Sequence, residues 1–252
     1  LFVFLLIKTE IFSVTFPTIS ANYEKKKIQS CNRVINNSVK YSLILQFPLL
    51  IGTIVYPKFL IIIFLGNEFL EAASYVPLVS LTLFIQTYSH IFGDTLIASG
   101  ETKKASQLGI FTHILTFFLY LALIPEKIFN FPALGLGIYG VIFARLVGFA
   151  VAFGLYYYHS MDIFRNSFSF TSAFKFALCS SIILALSILF SLFIGDFNYI
   201  LYSFVTMCIS TAVFLVALNI YGFLTNREII KVLHFFNFYK IKSYYSEEIK
   251  GV

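Results

Sequence analysis

What most limits this chain is the recurrence of apolar runs of roughly eighteen residues or more, each long enough to cross a bilayer as a helix of ~20 residues. Inside lipid the backbone must satisfy its own hydrogen bonds, so only a helix bundle or a closed barrel can span. Barrel strands alternate polar and apolar residues over ~10 positions. Segments 59–65 and 181–194 do not alternate. The composition agrees, with 59% hydrophobic and only 12% charged residues, where a soluble domain carries about 25% charged. The expected fold class is all-α, a polytopic transmembrane helix bundle.

Seven spans are expected, at 1–16, 41–65, 76–98, 106–124, 137–158, 174–194 and 199–224, with a basic tail at 225–252. Pro17 is expected to end the first span, and Ser20 to cap the next helix. Residues 21–40 are polar and basic with sparse apolar positions, which suits a helix lying on the membrane surface. Pro48 and Pro57 are expected kink points in the second span. The chain starts at Leu1 inside an apolar run, without a basic leader or a small-residue cleavage site. It reads as a fragment of a longer protein or as a mis-started frame.

The net charge of +6 does not call for a nucleic-acid partner, because the placement of the basic residues follows topology. Lys and Arg gather in 20–40, 99–106, 159–175 and the tail, while 66–75, 126–136 and 195–198 hold only Lys127. By the positive-inside rule the first group faces the cytoplasm. The expected location is the plasma membrane, multi-pass, with a cytoplasmic carboxyl terminus. Cys31, Cys179 and Cys208 form no CxxC and no metal-site spacing. Cys179 and Cys208 fall in spans and are expected to be small packing residues.

Polar residues inside the spans are the candidate functional groups. Gln86, His90 and Asp94 are spaced by four on the third span, so they form one stripe on a helix face. A carboxylate at the bilayer centre costs ~3 kcal/mol on insertion scales, so these groups should face protein or a wet cavity. The functional alternative is a polar cavity wall or ion relay; the structural alternative is a hydrogen-bond cluster, with Asp94 only about 6 Å of helical rise from Ala98. His113 sits at a depth similar to that of His90 on the fourth span, and a His90–His113 or Asp94–His113 contact is an expectation. Arg145 stands about 12 Å of helical rise past Gly137. Its guanidinium can hold phosphate bidentately, or it can pair with an acid on a neighbouring helix or reach the outer headgroups. Lys8 and Glu10 lie two apart in the first span and do not share a face; they line a cavity, or the frame before Phe16 is off. Lys8 is the second phosphate-binding candidate.

Gly135-x-Gly137-x-x-Gly140 spells the dinucleotide fingerprint, but it lacks the preceding strand of a βαβ unit and is read as small residues for close helix packing. Tyr156, Tyr157 and Tyr158 read as an interfacial aromatic belt. No GxSxG, HExxH or Walker sequence occurs, so no catalytic set, metal site or cofactor is expected.

Four short motifs occur in order: Phe16-Pro17-Thr18-Ile19-Ser20; Phe64-Leu65-Gly66-Asn67-Glu68-Phe69-Leu70-Glu71-Ala72-Ala73; Leu96-Ile97-Ala98-Ser99-Gly100-Glu101-Thr102; and Leu123-Ile124-Pro125 with Gly135-Leu136-Gly137-Ile138-Tyr139-Gly140-Val141. Together they resemble the polysaccharide biosynthesis proteins, the lipid-linked oligosaccharide flippases of the superfamily that also holds multidrug (MATE-type) exporters. The resemblance implies a MATE-like carboxyl-terminal lobe over 1–158, two additional spans over 159–224, and a missing amino-terminal half of the same protein as partner. It implies flipping of lipid-linked oligosaccharide by alternating access, with membrane lipids around it. A multidrug or cation antiporter of the same superfamily, coupled through Asp94 or Glu10, is the alternative. A membrane-embedded polysaccharide polymerase or acyltransferase is a third reading, disfavoured by the shortness of loop 126–136.

Overall fold

The computed structural model describes residues 2–128, 131–164, 181, 185 and 199–220. The chain divides into two units, Leu1–Ala177 and Leu178–Val252. The expected sixth span and the basic tail lie outside the described residues, apart from positions 181 and 185.

The first unit is a helix bundle: α1 (Phe2–Glu24), α2 (Ile28–Val55), α3 (Pro57–Phe64), a 3-10 turn (Asn67–Ser74), α4 (Val76–Ala98), α5 (Thr102–Leu123) and α6 (Gly137–Phe164). A two-residue antiparallel ladder, β1 (Lys127–Ile128) with β2 (Phe131–Pro132), closes the α5–α6 connection. In the second unit α7 (Tyr199–Ile220) buries Ser203, Thr206 and Phe214. Among the described residues α2, α5 and α6 are each long and apolar enough to cross a membrane. The 3-10 turn and α4 together make a fourth such span, bent by 62°. The chain is a multi-pass, all-α membrane protein.

Several boundaries differ from the sequence reading. Pro17 does not end α1, which runs on to Glu24. In lipid a helix has no water to break into, and side-chain hydroxyls re-satisfy carbonyls near a proline. Here Thr18 Oγ1 donates at 2.7 Å to the Val14 carbonyl, the neighbour of the Ser13 carbonyl that Pro17 leaves without its helical donor. Residues 21–40 are not a surface helix; they are the end of α1, a turn, and the first half of α2. Pro48 lies inside α2, and the break comes at Tyr56, with Pro57 opening α3. α6 extends to Phe164, so the polar loop begins later than expected. Cys31 is buried, whereas Cys208 is exposed on α7 and does not pack inward.

The core is built on small residues. On α6, Gly140, Ala144, Gly148 and Ala152 recur every fourth position and are all buried. A methyl group on Gly140 would lie 2.7 Å from the Leu123 carbonyl oxygen, and one on Gly148 would overlap the Thr116 hydroxyl. This stripe lets α5 run against α6 almost backbone to backbone, the packing mode lipid-embedded helices favour. Gly140 therefore packs as the fingerprint glycines were expected to. Gly135 and Gly137 instead turn the chain at φ +62° and +53°. On the opposite flank an aromatic seam joins α2, α4 and α6: Phe47 to Phe84 at 5.1 Å, Phe84 to Tyr88 at 4.9 Å and Tyr88 to Phe153 at 6.5 Å between ring centroids. One turn is costly. Lys26, between α1 and α2, has φ +55°, a left-handed conformation that costs an L-residue roughly 1–2 kcal/mol.

Candidate functional site

α4 and α6 run parallel, as the ring pairs Tyr75–Tyr139 (4.9 Å) and Phe92–Tyr157 (5.2 Å) require. α5 runs antiparallel to α6, since Leu123 meets Gly140, Thr116 meets Gly148 and Gly109 meets Tyr156. Between the three helices lies a cavity of about 520 Å³. His90 and Asp94 line it from α4, His113 from α5 and Arg145 from α6. Four of the candidate residues, on three helices, thus converge on one space.

The helix registers order them along the cavity. Arg145 lies near the end where α6 begins. Seven residues, about 10 Å of helical rise, separate it from Ala152. His113 lies between the levels set by the Thr116–Gly148 and Gly109–Tyr156 contacts. Asp94 sits beside Gly93, whose Cα faces the Tyr156 ring. The order is therefore guanidinium, imidazoles, then carboxylate with the tyrosine.

Arg145 is exposed and its guanidinium carbon stands 5.8 Å from the Phe149 ring centroid. No carboxylate pairs with it among the described residues. Phe149 in turn lies 6.4 Å from the His90 ring, so an aromatic ring separates the cation from the His90–Asp94 end. Gln86 does not line the cavity; it stands behind His90, with Gln86 Nε2 3.4 Å from His90 Nε2. With the amide donating, the imidazole proton is on Nδ1. His90 and Asp94 also touch a second, very small cavity against α1, lined by Thr15 and Ile19. The side chains of Lys8 and Glu10 lie outside the described residues. No group of three or more metal-ligating side chains occurs among the described residues.

Tyr156 is a site residue the sequence reading missed. It was expected in an interfacial belt, but it turns inward. Its ring lies against Gly93, its hydroxyl donates to the Ala105 carbonyl at 3.3 Å, and it lines the cavity at its carboxylate end. The signal was available: Gly93 and Gly109 are the glycines of α4 and of α5, each a place where a large side chain from a neighbour can enter. Tyr157 packs on Phe92, and only Tyr158, 63% exposed, behaves as a belt residue.

The fold and cavity define a multi-pass helical membrane protein with a largely apolar space, reached by a few polar side chains and walled by three of its helices. Residues 2–74 match a protein family described as polysaccharide biosynthesis protein. The chain is also 25% identical over 215 residues to the probable low-salt glycan biosynthesis flippase Agl15 of Haloferax volcanii, a match covering 81% of this chain and 43% of that relative. The chain therefore spans less than half the length of the curated relative it matches. Both comparisons identify polysaccharide biosynthesis and flippase proteins, the same family that the motifs between Phe16 and Val141 resemble.

Proposed function

We propose that this chain is the carboxyl-terminal part of a flippase that moves lipid-linked glycan precursors across the plasma membrane by alternating access, a transporter and not an enzyme. The supporting observation is the convergence of Arg145, His90, His113 and Asp94 on one cavity inside the bundle. Among the described residues Arg145 rests on an aromatic face alone, ready to change partners. The cation–π contact contributes ~0.5–1 kcal/mol at an exposed site, while a hydrogen bond to a charged group contributes ~1.5–3 kcal/mol. A phosphate entering the cavity would draw the guanidinium from Phe149 and be held bidentately. The imidazoles and Asp94, further along the same cavity, would meet the sugar hydroxyls. Lys8 stays a second candidate for the phosphate. We place the basic loops and the carboxyl terminus in the cytoplasm, the division between a transporter lobe and two additional spans after the end of α6 and not at 158/159, and a preceding half-protein as the partner that completes the pathway.

Export assays on the full-length protein test this reading. Arg145→Ala should abolish export of the lipid-linked sugar, and Arg145→Lys should keep a fraction, because an ammonium supplies charge without the planar fork. Normal export by Arg145→Ala at normal expression would remove Arg145 from the site. The antiporter alternative draws on the position of His90 and Asp94 between two cavities. It requires Asp94→Asn to abolish drug or cation exchange in cells whose glycan export is intact. Reporter tags after Asn67 and after Lys103 should lie on opposite sides of the membrane, since α4 separates them; the same side for both would refute the orientation.

A further inference from the structure

The same helix-ending turn occurs twice at one end of the bundle, built from different residues. At the end of α4, Glu101 N–H donates to the Leu96 carbonyl (3.1 Å) and Gly100 N–H to the Ile97 carbonyl (3.0 Å). At the end of α1, Lys27 N–H donates to the Asn22 carbonyl (2.9 Å) and Lys26 N–H to the Tyr23 carbonyl (2.8 Å). Both are Schellman turns, which need one residue at positive φ and normally use glycine. α4 uses Gly100 at φ +86°; α1 uses Lys26 at φ +55°. Among the described residues Lys26 is the sole non-glycine with a positive φ. A strained side chain held where glycine would be relaxed points to use of that side chain.

The two turns face each other across a groove of about 730 Å³, lined by Lys26, Ser20, Tyr23, Glu24, Ser99 and Gly100 among others. Lys26 is exposed, and among the described residues its ammonium has no ion-pair partner, although Glu24 shares the lining. Lys25 and Lys27 flank it, and Lys103 stands on the first turn of α5. The apolar run of α1 leads into one turn, and α5, apolar and of spanning length, leaves the other, so the turns lie at the level of the lipid headgroups. Ser99 Oγ already donates to the Leu96 carbonyl at 2.8 Å, so toward a ligand it acts as an acceptor.

We propose that this groove binds the headgroup of an anionic membrane phospholipid, with the Lys26 ammonium on the phosphate. The hydroxyls of Ser20 and Tyr23 donate to the same phosphate. Glu24 and Ser99 accept from hydroxyls of the headgroup, which favours a polyol phosphodiester over a bare phosphate, whose second charge Glu24 would repel. The groove is separate from the Arg145 cavity, and the proposal stands whether or not that cavity carries a glycan.

The test uses the full-length protein in detergent, with the melting temperature read as lipid is added. Wild type should gain several degrees with phosphatidylglycerol and none with phosphatidylcholine or inorganic phosphate, because a ligand that binds only the folded state raises its stability. Lys26→Gly keeps the turn and relieves its strain. Without lipid it should melt at or above the wild-type temperature, yet lose most of the phosphatidylglycerol shift. Lys26→Arg, Lys25→Gly and Lys27→Gly should keep the shift. A wild-type shift in Lys26→Gly, equal losses in all three glycine variants, or the same shift with inorganic phosphate would each overturn the proposal.

Discussion

α2 and α5 are both apolar helices long enough to cross a membrane, and nothing in their hydropathy separates them. Yet 56% of the apolar window of α2 is buried in the protein, against 6% of that of α5. The difference lies in the residues that interrupt the apolar run. On α2, Ser38, Ser42 and Gln46 recur every fourth position and are 8%, 0% and 0% exposed. On α5 the bulky Ile110, Phe117 and Phe118 are 61%, 57% and 61% exposed. In lipid, apolar surface gains little by leaving the bilayer for another helix, so association runs through small and polar side chains. On α2 the small polar stripe lies on the inward face together with Ile35, Leu43 and Ile44, while on α5 large apolar side chains mark the outward face.

This contrast can be broken by making the same truncation in both helices. Ile44→Ala, at a position 2% exposed on α2, should lose ~2–5 kcal/mol of stability by cavity formation. Phe118→Ala removes more atoms but should change stability by no more than about 0.5 kcal/mol, as at an ordinary surface site. Unfolding titrations in mixed micelles would compare them; equal losses would mean that α5 is covered by protein. A smaller effect sharpens the account of the α5–α6 seam. Gly148→Ala should cost ~1–3 kcal/mol by overpacking against Thr116. Adding Thr116→Ala should return most of that loss, and a double-mutant cycle showing plain additivity would mean that the two do not share the contact.

The candidate site was legible in part, and the reasons are residue-specific. The stripe at Gln86, His90 and Asp94 could be read from spacing alone, because a helix fixes which residues share a face. That His113 and Arg145 meet the same cavity could not be read, since it depends on the register of α5 and α6. That register is set by Gly140 and Gly148 lying against Leu123 and Thr116. Spacing makes Gln86 an equal member of the stripe, but it lies outside the cavity lining, against His90. Tyr156 was missed because three consecutive tyrosines near a span end look alike in sequence, and only the gap opened by Gly93 and Gly109 separates the first from the others. Pro17 marks a helix end by the rules of water, where an interrupted helix can end in solvent, but α1 continues through it.

The amino-acid sequence by itself determined that this chain is helical and lies in the membrane, because long apolar runs leave the backbone no other way to satisfy its hydrogen bonds in lipid. It also determined which polar groups each helix carries and on which side. Tertiary structure alone decided which of those groups meet. That outcome rests on helix direction and register, and these depend on contacts at a few glycines, where one methyl group would move a helix away from its neighbour.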